Sequence, residues 1–150
     1  MYLLVSGSTK TVQKYIENPY LGQFITPTTH NSVRSINRII ENGKYWAADN
    51  DCYTGFKEEK YISMLDKLPQ DNSKLIFVTL PDVVGDAETT LKLFEKWQPL
   101  LKSYKLPFAL VAQDGLKDTD IPWDKFTSFF IGGTTDFKLG EDARRFAAIA

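Results

Sequence analysis

A chain of 150 residues, 43% hydrophobic and 25% charged, fits one compact globular domain over residues 1–150 and excludes a disordered or low-complexity protein. A net charge of −1 gives no global basic signature for nucleic acid, and no apolar run approaches the roughly 20 residues of a membrane span, so no membrane partner is expected. The only cysteine, Cys52, excludes an internal disulfide, and with the only histidine, His30, it leaves no set for structural zinc; no metal and no cofactor are expected.

The N-terminal MYLLVSGS lacks the charged start and longer apolar stretch of a signal peptide, so a cytoplasmic location is expected. Tyr2–Ser6 reads as a short buried strand and Gly7-Ser8-Thr9 as a turn. Thr11–Glu17 is helix-like, with Val12, Tyr15 and Ile16 at helical spacing, and Pro19 ends it. Gly22–Pro27 is a second strand and Thr28–Asn31 a polar loop. Val33, Ile36, Ile39 and Ile40 mark a helix with Arg34, Asn37 and Arg38 on its wet side, closed by Gly43. The strand Tyr45–Ala48 follows. Phe56, Ile62, Leu65 and Leu68 give the next helix, and Leu75–Leu80 a near-continuous apolar strand of the kind covered on both faces. Asp86 is placed to cap a helix whose apolar stripe is Leu91, Phe94, Trp97, Leu101 and Tyr104. Phe108–Ala112 is a strand, Gly115–Asp120 a loop, and Pro122-Trp123-Asp124 the start of a short helical turn. Phe129–Gly133 is a strand, and Asp136–Ala150 ends in a helix with Phe146 and Ile149 inward.

Strands alternate with helices throughout, which predicts an α/β fold with a parallel sheet. An open sheet with helices on both faces is one solution, and part of a (β/α)8 barrel is the other. A full barrel needs about 250 residues, so the chain is too short for one. It also stops inside the helical pattern ARRFAAIA, so a truncated chain or a split gene is expected. Several strands run from apolar residues into polar or glycine residues: Trp46–Ala48 into Asp49-Asn50-Asp51, Leu75–Leu80 into Asp82, Phe108–Ala112 into Gln113, and Phe129–Ile131 into Gly132-Gly133. In parallel α/β folds ligands bind outside those ends.

WAADN followed by a Gly-Phe pair, then LPDVVGDA, LVAQDG and IGG, resembles the transglycosylase superfamily that exchanges guanine for 7-deazaguanines, over roughly Gly22 to Gly140. ITPTTHNS resembles the segment that opens the barrel in these proteins, and the match is closer to the phage and bacterial branch acting on DNA than to the tRNA enzymes. The resemblance implies a partial (β/α)8 barrel that binds guanine or a 7-deazaguanine and acts on a polynucleotide, DNA rather than tRNA. It implies Asp49 as the acid/base over the reacting base, Asp82 as the reader of the amino edge, and Gln113 with the Gly132-Gly133 backbone at the carbonyl. Asn50, beside Asp49, joins the substrate-binding set. The tRNA enzymes usually carry glycines where Asp51-Cys52 stands. The family's nucleophilic aspartate and cysteine-rich zinc site lie on later strands than this sequence contains, so no nucleophile is assigned.

The groups fit the chemistry. Guanine offers two N–H donors and the O6 acceptor on one edge. A carboxylate accepts both donors, and an amide N–H with a backbone N–H meets O6. Such a site rejects adenine by leaving buried groups unpaired. Each residue also has a structural reading. Asp82 after Pro81 can open a turn, Asp49–Asp51 can be loop polars, Gln113-Asp114-Gly115 reads equally as a β-turn, and the glycine pair as a tight bend. Two rivals to base exchange follow: a non-catalytic protein with a nucleobase pocket or interaction surface, and an unrelated barrel enzyme acting on a phosphorylated small molecule. Neither GxxxxGK[ST] nor GxGxxG is present to favour the latter.

Overall fold

The computed structural model describes residues 1–28, 33–69 and 71–150. The chain runs β1 (Leu3–Ser6), α1 (Thr9–Lys14), β2 (Leu21–Ile25), α2 (Val33–Glu41), β3 (Trp46–Ala48), α3 (Glu58–Leu65), β4 (Leu75–Thr79), α4 (Ala87–Ser103), β5 (Phe108–Ala112), β6 (Ser128–Ile131), α5 (Thr135–Leu139) and α6 (Glu141–Ile149). His30 and its neighbours in ITPTTHNS lie outside the described residues.

The six strands form one all-parallel sheet in the order of the chain, each paired with the strand before it. The sheet is curled. Rings on β2, β4 and β6 meet on one face: Phe24 lies 6.2 Å from both Phe77 and Phe130, and Phe77 lies 5.9 Å from Phe130. In a flat sheet β2 and β6 would stand about 19 Å apart, four spacings of ~4.8 Å. The opposite face carries the helices and the main core. Trp46, Ala48, Val78, Leu80, Leu110 and Ala112 pack there against Tyr61, Phe94, Trp97 and Leu101. Phe56, Tyr61 and Trp97 stack edge to face at 5.5–5.6 Å. The Tyr61 hydroxyl donates to the Thr79 carbonyl at 2.7 Å, which ties α3 to the end of β4. Among the described residues no helix is long and apolar enough to cross a membrane.

The α/β class and the parallel sheet agree with the sequence. The strict alternation does not: β5 and β6 are joined without an α-helix, through a 3₁₀ turn at Asp118–Asp120. Leu116 and Ile121 from this connection are buried in the core and cover the sheet as a helix would. The Pro122 segment forms a plain turn rather than a helical one. A second 3₁₀ turn, Cys52–Thr54, stands between β3 and α3. The chain ends in a helix as expected, α6, with the short α5 before it, and Gly140 takes an extended conformation (φ −75°, ψ 174°) that ends α5 and starts α6. Phe146 is buried as expected, but Ile149 is exposed. The first helix begins earlier than its apolar spacing implies, since the Ser8 hydroxyl caps it by accepting from the Thr11 N–H at 3.3 Å. Asp86 caps α4 as expected, accepting from the Thr89 N–H at 3.0 Å, and α4 runs unbroken through Pro99.

Candidate active site

Asp49, Asn50, Asp82, Gln113, Gly132 and Gly133 all line one cleft of about 120 Å³ at the C-terminal ends of β3 to β6. The strand ends that the sequence marked as polar therefore face a common space. Tyr53, Val84, Val111, Phe130 and Lys138 complete the lining. Tyr53, 88% exposed, stands at the mouth. Sequence reading passed over it, although its place four residues after Asp49 in a loop rich in acids was a usable signal.

Asp49 follows β3 directly. Its Oδ1 accepts from the Thr79 hydroxyl at 3.0 Å. Burial raises its pKa above the ordinary value of 3.8, against the lowering effect of Thr79 and of the Asn50 and Asp51 N–H groups. Asp82 is raised as well, first by burial; Asn50 opposes the shift and the nearby charge of Asp49 adds to it. The two carboxylates thus share one partly desolvated space.

Asp82 is closely held. Its Oδ1 accepts from Asn50 Nδ2 at 2.6 Å and its Oδ2 from Gln113 Nε2 at 2.5 Å. Its N–H donates to Cys52 Sγ at 3.3 Å. Gln113, 1% exposed, also accepts the Gly85 N–H on Oε1 at 2.9 Å, so it braces the β4–α4 loop from β5. Gly132 leaves room for this bracing: a Cβ there would stand 2.8 Å from Gln113 Nε2 and 2.6 Å from Val111 Cγ1. Gly133 has φ +78°, and a Cβ would stand 2.6 Å from Asp114 Oδ2, so the tight-bend reading of the pair is also met. Burial pushes the Cys52 thiol up to about 12, which leaves it a thiol at neutral pH. Among the described residues no group of three or more His, Cys, Asp or Glu is placed to hold a metal ion.

The shift of Asp49 has a consequence for stability. A carboxyl whose folded pKa is raised keeps its proton in the fold at pH values where the unfolded chain has released it. Its burial therefore costs stability progressively as pH rises from 3.8 through the folded value, and the cost vanishes below 3.8. Asp49→Asn is expected to stabilise the protein at pH 7 by about 0.5–2 kcal/mol and to leave it little changed at pH 3.5. Urea unfolding at both pH values checks this; a loss of stability at pH 7 would mean that the bonds to Thr79 and the loop outweigh the desolvation.

Compared with known proteins, the chain matches no family model, no curated protein and no solved structure.

Proposed function

We propose that this cleft recognises a guanine-type base and that the chain forms the first part of a (β/α)8 barrel acting on guanine or 7-deazaguanine in a polynucleotide, with DNA ahead of tRNA. The observation that carries the reading is the convergence of two carboxylates, a carboxamide and a glycine pair on one cleft at the ends of four parallel strands. The barrel is supported by the curl and by the inner rings of Phe24, Phe77 and Phe130, since barrel interiors are layered with residues from alternate strands.

Asp82 has the lone pairs for the task. A carboxylate offers about four acceptor sites. The Asn50 and Gln113 amides take one on each oxygen. The remaining sites match N1–H and the 2-amino group of guanine. Gln113 has a second Nε2 hydrogen to offer O6. Tyr53 and Asp49 both line the cleft; in this reading Tyr53 covers the base with its ring and Asp49 moves a proton as the purine leaves. Guanine is expected to bind about 100-fold or more tightly than adenine, whose N1 acceptor would face Asp82. Calorimetry with the two free bases tests this, and equal affinities would end the reading. Binding without exchange is the second reading. It is favoured by the raised thiol of Cys52, which removes one candidate nucleophile from the cleft.

A further inference from the structure

The turn that follows β3 grips Asp82 through both its side chain and its backbone. Asn50, 3% exposed, spends its carboxamide inside the protein. Its Nδ2 donates to the Leu80 carbonyl at 2.6 Å and to Asp82 Oδ1 at 2.6 Å, and its Oδ1 accepts the Cys52 N–H at 2.8 Å. Cys52 Sγ accepts the Asp82 N–H at 3.3 Å, and the thiol lies close enough to the carboxylate to lower its pKa. Between them Asp51 sits in the left-handed region at φ 62°, a conformation that L residues other than asparagine and aspartate seldom take. Its carboxylate is tied to the hydroxyls of Thr28 and, at 2.9 Å, Thr54. That twist lets two residues separated by one position in the chain reach the same target.

We infer that Asn50 and Cys52 are positioning residues for Asp82, orienting its carboxylate into the cleft, and that Asn50 itself does not contact the ligand. The inference rests on Asp82 being the base reader, but its test reads Asp82 directly. An amide donor on one oxygen, opposite the Gln113 amide on the other, fixes the plane of the carboxylate. A donor to a carboxylate also favours its charged form, against burial and the charge of Asp49. The titratable groups around Asp82 are Asp49 at the end of β3, Cys52 and Tyr53 in the turn, and Lys138 from α5. A purely structural tie between two loops would hold the backbone without setting the ionisation of Asp82.

The test is a ¹³C-carboxyl NMR titration of the aspartate-labelled protein, with the Asp82 signal assigned by its loss in Asp82→Asn. In Asn50→Ala the Asp82 midpoint is expected to rise by about one pH unit, the scale of a lost charge-assisted hydrogen bond, while Asp49 moves less. Cys52→Ala should raise the midpoint by a smaller step, and Cys52→Ser, which keeps a hydroxyl donor, should restore it. A folded Asn50→Ala with an unchanged Asp82 midpoint overturns the inference. If Asn50→Ala does not fold, the Cys52 pair decides: no rise in Cys52→Ala, or no restoration in Cys52→Ser, overturns it. Guanine calorimetry on the unaltered protein is run alongside. Absent guanine binding would sink the base reading and leave the Asp82 midpoints to be judged on their own.

Discussion

Replacing Asp82 by asparagine is expected to weaken guanine binding by roughly 30- to 1000-fold, or about 2–4 kcal/mol. The substitution turns one acceptor oxygen into an N–H donor. Both carboxylate oxygens already accept from amides, Asn50 at 2.6 Å and Gln113 at 2.5 Å, so the new donor must face a donor whichever way the side chain turns. A charge-assisted bond to the base is lost, and a buried N–H is left without a partner. Some folding stability goes with it, so affinity is measured on protein shown to be folded. Asp86→Asn is the matched control. Asp86 caps α4 through Thr89, and asparagine caps a helix about as well as aspartate, so binding and stability should both hold. Equal guanine affinities for Asp82→Asn and the unaltered chain would remove Asp82 from the site.

Gly22→Ala is expected to cost about 3 kcal/mol or more of stability, the largest loss for the smallest added group. Gly22 lies within β2, between β1 and β3. A Cβ there would stand 2.2 Å from the Tyr45 carbonyl oxygen and 2.6 Å from Leu4 Cδ2. The leucine end can swing aside. The carbonyl cannot, because it belongs to the backbone entering β3 and accepts the Gln23 N–H at 3.1 Å. Urea unfolding followed by circular dichroism measures the cost. A loss below about 1 kcal/mol would mean that β2 and β3 separate more easily than their pairing implies.

Much of this fold could be read from the chain because its signals are local. Runs such as Leu75–Leu80 and Phe108–Ala112 end in polar residues, and that pattern alone marked Asp49, Asp82, Gln113 and the Gly132-Gly133 pair as neighbours at strand ends. What escaped depends on residues far apart. Asn50 was marked for the cleft as a neighbour of Asp49, but its bond to Asp82, 32 positions away, leaves no local trace. The bracing of Gly85 by Gln113 spans 28 positions and leaves no periodic trace. The missing helix between β5 and β6 was hidden by Pro122 and Trp123, which resemble a helix start, while Leu116 and Ile121 do the covering without helical spacing. Gly140 sat inside an otherwise helical stretch, where a lone glycine is tolerated as often as it breaks the run.

The inner rings of Phe24, Phe77 and Phe130 bear on the order in which the molecule assembles. Each strand pairs with its predecessor, so the sheet can lengthen by closing one modest loop at a time, and the entropy of such closures grows slowly with loop size. The meeting of Phe24 with Phe130 is of another kind. It joins two strands at nearly opposite ends of the chain and cannot form before β6 has docked. Phe130 and the glycine pair behind it form one wall of the cleft. That wall therefore forms only once β6 has docked on β5, and a local release of β6 from β5 would open the cleft while β1 to β4 stay folded.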